Sequence, residues 1–524
     1  MSSPLVLLRF LLLRILIPLS VLSTTWLYLY PIFHLCAFPS PPTSNLHSPF
    51  LNTLAQHFHL TLSNDDTAPF RLLVFGDPQL EGDTSLPAGG LLNFPSLKGI
   101  LGLVRDVEGV KGKGEVVGRQ LSKFLAEDVV RAVVAARKTL DLWGNDFYLA
   151  HIYRTMRWWT RPTHVAVLGD LLGSQWISDE EFKVRGDRFW NRVFRGGRRV
   201  GDDTTMGVVG GGAEVLGEDE AWGRRVVCVV GNHDVGYAGD MTEERAERFE
   251  RVFGGMNWDI RFQLQGTVHN TTTPPPSIHL ITLNSLNLDT PALSAHLQNK
   301  TYAFLNQILS TTPPKSKTDF TILLTHLPLH KPAGVCADPP FFDFHGQEYG
   351  GGVREQNHLS EASSKVLLEA VFGMRSPAVA GEGARNGIIL TGHDHEGCDV
   401  YHYPSTSSPS SPHPYNTTNA TTTAPPTPDS LREITVRSMM GDYGGSAGLL
   451  SAWFSRQKGE WEYSYQDCRA GVQHWWWGVH GLDFVTVVWW AVVWMAGGLV
   501  REGKRTRRRG GVRKGGKRKR RKAG

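Results

Sequence analysis

Five short motifs, each with Asp, Asn or His residues directly after a run of apolar residues, constrain the fold more than any other feature. They lie at residues 72–79, 165–170, 226–234, 322–326 and 388–395. A short apolar run that ends in Gly or Thr is typical of a buried strand leading into a loop. Alternation of such strands with helical stretches predicts an α/β (α+β) domain with a central mixed sheet.

The polar residues of these motifs are candidate metal ligands. They are Asp77, Gln79, Asp170, Asn232, His326, His393 and His395. Mixed nitrogen and oxygen donors suit Mn, Fe, Zn or Mg rather than a structural zinc held by thiolates. Asp170 could bridge two divalent ions about 3.5–4 Å apart, the usual separation for in-line phosphoryl displacement. The pattern therefore predicts two divalent metal ions in a phosphoesterase site.

His233, in the Gly-Asn-His-Asp motif, is the candidate for acid chemistry. An imidazolium beside the ions can stabilise a transferring phosphoryl group and protonate the leaving oxygen. The adjacent Asp234 is predicted to orient the ring and keep it cationic. A single histidine in a loop is more often only hydrogen-bonded, but five matched strand-end contexts favour the catalytic interpretation.

Between the motifs, apolar periodicity predicts helices over residues 121–140 and 143–159. Further strands are expected at residues 278–283 and 434–436. Three stretches are predicted to be insertions, at residues 83–118, 196–223 and 404–429, the last a mobile Ser/Thr/Pro-rich surface loop.

The C-terminal end combines an apolar stretch with a basic tail. Residues 484–500 contain no charged residue, and residues 501–524 carry 14 Lys/Arg and one acid. The rest of the chain has 41 Lys/Arg and 49 Asp/Glu and is therefore net negative, so the net positive charge of the protein comes from the tail. A transmembrane helix over residues 482–500, with cytosolic flanking cations, is favoured over a buried core helix or a nucleic-acid-binding tail.

A second apolar segment, residues 15–38, follows Arg9 and Arg14. Its length favours an uncleaved anchor over a cleaved signal peptide. Cations before the first span and after the last would place both termini in the cytosol and the region between the spans in a lumen. Four Asn-x-Ser/Thr sequons lie in that region, at Asn270, Asn299, Asn416 and Asn419.

The five cysteines form no zinc-type CxxC pair. Cys228 lies in an apolar strand and is expected to be a core residue. Cys336 and Cys398 follow two of the motifs closely, so a disulfide near the site is one arrangement that the sequence allows without deciding it.

These features divide the chain into consecutive parts. We expect a cytosolic N-terminus (1–14), a transmembrane anchor (15–38), a linker (39–69), a lumenal catalytic domain (70–455), a juxtamembrane segment (456–481), a transmembrane helix (482–500) and a basic cytosolic tail (501–524).

The ordered combination of motifs resembles the signature of the calcineurin-like metallophosphoesterases from residue 72 to about residue 440. The resemblance implies a β-sandwich of mixed sheets flanked by helices. It also implies that one ion is held by Asp77, Asp170 and His395, and the other by Asp170, Asn232, His326 and His393. Gln79 departs from the signature, which has His at this position. Because an amide oxygen donates less strongly than imidazole, the first ion should be bound more weakly or be a harder ion.

A narrower resemblance includes this departure. The Asp77-Pro78-Gln79 motif is similar to that of a fungal endoplasmic-reticulum branch of the family, as are residues 144–146, 152–154, 163–164 and 168–171 and the flanking spans. That branch removes ethanolamine phosphate from mannose of the glycosylphosphatidylinositol (GPI) glycan, with Mn²⁺ the expected metal.

The resemblance therefore implies a membrane-bound phosphodiesterase of the endoplasmic reticulum that remodels GPI anchors during their export. Its expected partners are GPI-anchored proteins or GPI lipid and coat proteins that recognise Arg521-Lys522, without nucleic acid. Two alternatives stay open: a lumenal phosphoesterase that acts on another phosphodiester, and a catalytically weak cargo adaptor, for which Gln79 is the indication.

Overall fold

The computed structural model describes residues 4–42, 48–58, 67–86, 93–98, 100–105, 109–265, 275–311, 317–374, 384–405, 415–420, 425, 427, 429–441 and 444–520. Its α-helices are α1 (Pro4–Leu11), α2 (Ile17–Tyr28), α3 (Tyr30–Phe33), α4 (Pro49–His57), α5 (Ile100–Arg105), α6 (Val110–Lys123), α7 (Val129–Thr160), α8 (Asp179–Arg188), α9 (Asp202–Thr205), α10 (Asn232–Val235), α11 (Glu243–Phe253), α12 (Ala295–Thr311), α13 (Glu361–Ala370) and α14 (Gln473–Arg520). Its strands are β1 (Phe70–Phe75), β2 (His164–Val167), β3 (Arg198–Arg199), β4 (Ala213–Val215), β5 (Arg225–Cys228), β6 (Trp258–Gln263), β7 (Ser277–Thr282), β8 (Asp319–Leu324), β9 (Phe342–Phe344), β10 (Val353–Gln356), β11 (Gly387–Thr391), β12 (Cys398–Pro404), β13 (Tyr415–Asn419), β14 (Leu431–Thr435), β15 (Gly445–Ser455) and β16 (Glu460–Gly471).

The chain divides into two units, Met1–Phe33 with Gly471–Gly524, and His34–Ala470. The larger unit contains two extended sheets, with strand orders β16-β15-β1-β2-β5-β3 and β13-β12-β14-β11-β8-β7-β6-β4. In the first sheet β1, β2 and β5 are parallel, and in the second β8, β11 and β14 are parallel. Antiparallel pairs, β1 with β15 in the first sheet and β6 with β7 in the second, make both sheets mixed.

One hydrophobic core joins the two sheets. Its buried residues include Leu72, Val74, Ala166 and Val227 from the first sheet and Ile278, Ile322, Ile388 and Ile434 from the second. Burial of each large aliphatic side chain contributes roughly 1.5–3 kcal/mol to folding. The two sheets thus pack face to face around an apolar centre, and the predicted sandwich of mixed sheets flanked by helices is confirmed.

The two helices predicted between the first motifs form one longer helical segment. α6 continues through a π-helical turn at Phe124–Asp128 into α7. A glycine at position 144 costs about 1 kcal/mol but does not by itself end a helix. The helix ends only at Thr160, where the next residue, Arg161, has a left-handed φ of 48° and precedes Pro162.

The predicted linker contains a helix that belongs to the larger unit. Within residues 39–69 the structure has α4, and its Gln56 side chain donates to the Phe38 carbonyl at 2.7 Å and accepts from the Phe38 amide at 2.9 Å. A disulfide joins Cys36 to Cys468. The end of the predicted anchor, Cys36 to Phe38, is thereby buried in this unit.

The predicted insertions and juxtamembrane segment also contribute strands. β3 and β4 lie within residues 196–223, and β16 lies within residues 456–481. Tyr415–Asn419 forms edge strand β13 against β12 rather than a loop, because the strand supplies backbone groups that pair with an open sheet edge. Residues 406–414, 421–424, 426 and 428 of this insertion lie outside the described residues.

A buried ionic network fixes the chain just beyond β8. Glu433 of β14 accepts from Lys331 Nζ at 2.7 Å, from the Leu329 amide at 3.0 Å and from His402 Nε2 at 2.5 Å. Although burial disfavours its charged form, Lys331 and His402 hold the pKa of Glu433 at about 2. Because Leu329 follows closely after His326, the network steadies a candidate metal-ligand loop.

This network predicts a specific pH dependence of stability. A Glu whose folded pKa lies below its unfolded value of 4.5 stabilises the fold above pH 4.5, and this contribution is lost as the pH falls toward 2. The difference corresponds to about 3 kcal/mol. We expect Glu433→Gln to lower the free energy of unfolding by about this amount at neutral pH. We also expect the melting temperature of Glu433→Gln to fall less steeply than that of the unaltered protein as the pH is lowered.

The matched control is Glu247→Gln, since the Glu247 side chain is 69% exposed. Equal acid sensitivity of Glu433→Gln and the unaltered protein would contradict the assignment of this stability to Glu433.

The smaller unit consists of two apolar helical segments. Pro4–Tyr28 and Gln473–Gly498 are each long and apolar enough to span a membrane. Large apolar side chains on both are exposed, for example Leu22 at 68% and Trp494 at 70%. This exposure argues against the alternative of a buried core helix. The first helix begins before the predicted anchor, and Arg14 lies within it.

Polar contacts join these two segments. Asp483 of α14 accepts hydrogen bonds from Ser20 and from Thr24, whose Oγ1 lies 3.0 Å and 3.2 Å from its two carboxylate oxygens. Trp26 and Trp475 pack edge to face with ring centroids 5.6 Å apart. An acidic group in an apolar helix requires such partners, so these contacts specify how the segments pair.

Candidate metal centre

The loops after β1, β2, β5, β8 and β11 bring the predicted ligands to one edge of the sandwich. Parallel strands of one sheet end at the same edge, so the motif loops of β1, β2 and β5 meet in the first sheet and those of β8 and β11 meet in the second. The packing of the two sheets then brings both groups together. Asp77, Gln79, Asp170 and His393 all have left-handed φ values, of 43°, 42°, 48° and 74°. Such backbone conformations cost of order 1–3 kcal/mol each for residues other than Gly and cluster at functional sites.

Two motif glycines permit this close approach of loops. A Cβ atom at Gly231 would lie 2.0 Å from the Asp170 amide nitrogen. A Cβ atom at Gly169, where φ is +93°, would lie 2.3 Å from His326 Nδ1. Gly231 and Gly169 are therefore required by close tertiary contacts, and Gly169 also by its left-handed backbone conformation.

Four predicted ligands converge on one point. Asn232 Oδ1 lies 2.9 Å from His326 Nε2 and 3.0 Å from His393 Nδ1. Asp170 Oδ1 lies 3.4 Å from His326 Nε2. Donor atoms of Asp170, His326 and His393 all lie within 4.8 Å of one another. These residues are the set that the resemblance to the metallophosphoesterases implies for the second ion.

The second nitrogen of each imidazole shows that this set fits a cation. His326 Nδ1 lies 2.8 Å from the Leu168 carbonyl, and His393 Nε2 lies 3.0 Å from the Gln356 carbonyl. A carbonyl only accepts, so these nitrogens carry the protons. The opposite nitrogens then direct lone pairs at Asn232 Oδ1, which is also an acceptor. A divalent ion between these three lone pairs would turn their mutual repulsion into coordination.

Electrostatics at the centre also suit a cation. Burial lowers the pKa of His326 and lowers that of His393 to about 3, so both rings are neutral and able to coordinate. Burial and the neighbouring Asp170 carboxylate raise the pKa of Asp77 and of Asp234 well above the usual range. Three buried carboxylates so close together need positive charge to ionise together.

The residues assigned to the first ion are arranged differently. Gln79 Nε2 donates to Asp170 Oδ2 at 3.1 Å and lies 3.3 Å from His395 Nε2. The Asp77 carboxylate accepts from the His393 amide, with N–O distances of 3.1 Å and 3.2 Å. The structure therefore brings Asp77, Gln79 and His395 beside Asp170, but it places an amide N–H group among them.

His233 lies at the open side of the centre. Its imidazole is 40% exposed, and Nε2 lies 3.8 Å from Asp170 Oδ2. The His233 amide donates to Asp170 Oδ1 at 2.9 Å, which fixes the backbone of this residue relative to the ligands. The side chain is therefore accessible to a substrate while its backbone is anchored, as a proton donor to a leaving group requires.

The structure does not support the predicted role of Asp234 as the residue that orients His233. Its carboxylate accepts from the backbone amides of Gly231 at 2.8 Å, Leu172 at 2.9 Å and Leu171 at 3.3 Å. These bonds tie the loop after β5 to the loop after β2. The reason for the difference is that buried amides at the start of α10 and after Asp170 need acceptors.

Two further residues at the centre were not found from the sequence. Gln356, at the end of β10, orients His393 through its backbone carbonyl, which leaves no signature in the amino-acid type. The Tyr237 ring lies edge to face with His393, with centroids 6.2 Å apart. The one signal in the sequence that could have identified Tyr237 is its position shortly after the Gly-Asn-His-Asp motif.

Comparison with known proteins agrees with this centre. Protein TED1 of Saccharomyces cerevisiae is 29% identical over an alignment that covers 90% of this chain and 96% of TED1. Metallophosphoesterase 1 of Rattus norvegicus is 24% identical, covering 50% of this chain and 57% of the rat protein. Metallophosphoesterase 1 of Danio rerio is 25% identical, covering 52% of this chain and 62% of the fish protein.

No protein-family model matches the chain. The similarity nevertheless extends to proteins named for metal-dependent phosphoester hydrolysis. In this chain, side chains able to bind a metal ion are assembled at one edge of the sandwich. On both grounds, the chain is a metal-dependent phosphoesterase that resembles Protein TED1 and metallophosphoesterase 1.

Proposed function

We propose that this protein is a membrane-bound phosphodiesterase that removes ethanolamine phosphate from mannose of GPI anchors. The observation that carries the phosphoester chemistry is the convergence of Asp170, Asn232, His326 and His393 at one point. The resemblance of the Asp77-Pro78-Gln79 motif and its flanking segments to the GPI-remodelling branch supports this choice of substrate. The two apolar helical segments suit an enzyme whose substrate is anchored in lipid.

Different residues of this chain would bind the metal ion and donate the proton. Asp170, Asn232, His326 and His393 would hold a divalent ion, for which Mn²⁺ is our candidate and Fe, Zn or Mg are alternatives. When bound, such an ion polarises a phosphate oxygen and lowers the pKa of a bound water. His233, exposed beside Asp170, would donate a proton to the sugar oxygen as the phosphate bond breaks. The backbone carbonyls of Leu168 and Gln356, which accept from His326 and His393, keep this geometry fixed.

We propose that the catalytic unit lies in the lumen of the endoplasmic reticulum. Disulfides pair Cys36 with Cys468 and Cys336 with Cys398, which is typical of an oxidising compartment. The sequon residue Asn299 is exposed on α12, where a glycan could be added. Asn270 and the Arg521-Lys522 pair, proposed as a coat-protein signal on a cytosolic tail, lie outside the described residues.

Deletion of the gene followed by add-back tests the proposal. We expect the deletion to raise the ethanolamine-phosphate content of GPI glycans, measured by mass spectrometry. The unaltered gene should restore it, whereas a variant with His233→Ala and Asp170→Asn should not, because it lacks the proton donor and a metal ligand.

The outcomes separate the alternatives. An unchanged glycan in the deletion strain, with phosphodiesterase activity retained by the purified protein, would identify another phosphodiester as the substrate. Full rescue by the double variant would identify a cargo adaptor.

A further inference from the structure

We infer that this chain binds one divalent ion tightly, at Asp170, Asn232, His326 and His393, and that the Gln79 amide closes the position of a second ion. This inference concerns the metal content of the protein and does not depend on which phosphodiester is the substrate.

The amide of Gln79 lies between two ligands that a first ion would need. Its Nε2 is 3.1 Å from Asp170 Oδ2 and 3.3 Å from His395 Nε2. A primary amide nitrogen carries two protons and offers no lone pair for coordination. One proton of the amide is donated to the Asp170 carboxylate, and because the amide nitrogen can only donate, its other proton faces His395 Nε2. The positive end of the amide dipole therefore lies between Asp170 and His395, where the first ion would otherwise supply positive charge.

The other half of the centre has the opposite character. There Asn232 faces two imidazoles through its oxygen, so that lone pairs converge without a proton between them. Among the described residues, the His and Asp side chains whose metal-coordinating atoms lie within 4.8 Å of one another are those of Asp170, His326 and His393. Asp77 and His395 are not part of this group. One half of the centre thus requires a cation, and the other half is already satisfied by hydrogen bonds.

The backbone holds Gln79 in this position. Its amide donates to the Asp170 carbonyl at 2.8 Å, and the amide of Leu80 donates to the Leu171 carbonyl at 3.2 Å. With φ at 42°, the backbone of Gln79 has a left-handed conformation, and the next residue forms a parallel bridge to Leu172. The side chain therefore starts from a fixed point beside Asp170, and its contacts follow from the fold of the loop.

Metal analysis of the full-length protein in detergent tests the inference. The protein is saturated with Mn²⁺, freed of unbound ion by desalting, and analysed for metal per chain by mass spectrometry. We expect about one equivalent for the unaltered protein and about two for Gln79→His, because imidazole supplies a lone pair where the amide supplies protons. Electron paramagnetic resonance should show exchange coupling between Mn²⁺ ions only in Gln79→His.

Control variants identify the site that is filled. Asn232→Ala should lose the tight ion, and Gln307→His, at an exposed position of α12, should stay at about one equivalent. If Gln79→His does not fold, as judged by its thermal melt, Gln79→Glu supplies a carboxylate ligand for the same measurement. Two equivalents in the unaltered protein would overturn the inference, as would a value that stays at one in a folded Gln79→His or Gln79→Glu variant.

Failure of the proposed substrate would leave these results unchanged, since no substrate is present. Conversely, two tightly bound ions would leave the GPI proposal intact and remove only the role assigned to Gln79.

Discussion

Asp170→Asn is expected to reduce phosphodiesterase activity by about ten-thousandfold, because the substitution removes a metal ligand and a unit of negative charge. Oδ1 of Asp170 accepts from the His233 amide at 2.9 Å, so this position must stay an oxygen. The new NH2 group would then occupy the Oδ2 position and face the NH2 group of Gln79. Two donors would oppose each other where a donor and an acceptor now meet.

Hydrolysis of a soluble phosphodiester and the bound metal content of the purified protein would measure this effect. We expect metal affinity to fall by at least about 100-fold, since loss of residues that only support metal ligands already costs about 10–100-fold. The matched control is Asp187→Asn at an exposed position of α8. Activity within about threefold of the unaltered protein would contradict a catalytic role for this centre.

His233→Ala is expected to reduce kcat by about a thousandfold for substrates with an alcohol leaving group, which has to be protonated as it departs. The effect should be much smaller for a nitrophenyl diester, whose leaving group is stable as an anion. Metal content should not change, because the side chain is 40% exposed and lies 3.8 Å from the Asp170 carboxylate, whereas the hydrogen bond to Asp170 is donated by the His233 backbone amide.

The experiment compares kcat for the two leaving groups in His233→Ala and in His296→Ala, the latter an exposed histidine of α12. Equal losses for alkyl and nitrophenyl esters in His233→Ala would indicate that this residue binds phosphate and does not donate a proton.

Much of the site could be predicted because strand ends and ligand types are local properties of the sequence. Apolar runs before Asp77, Asp170 and His326 are strands β1, β2 and β8, as predicted. Parallel pairing brings the carboxyl ends of β1 and β2 together within one sheet, and packing of the second sheet on the first places the end of β8 beside them. The same local logic predicted the two apolar helical segments, since hydropathy alone distinguishes them.

The local roles of individual polar groups could not be predicted, because they depend on which loops meet. Asp234 follows His233 in sequence, but the nearest amides in need of an acceptor belong to the loop after β2. Residues 39–69 are polar enough for a linker, but Gln56 finds the backbone of Phe38 and α4 joins the larger unit. The partner of Cys36 is Cys468, and the sequence provides no means to pair them.

The sequence by itself determined the chemistry available to this protein, namely hard-oxygen and imidazole ligands at strand ends in a chain with apolar segments near both ends. Tertiary structure decided how that chemistry is used. At Gln79 the amino-acid type indicated only a weaker ligand than His. The backbone hydrogen bonds of the loop hold Gln79 where its amide protons face Asp170 and His395. The physical reason is that an amide can coordinate through oxygen or donate through nitrogen, and only its neighbours in space select between the two.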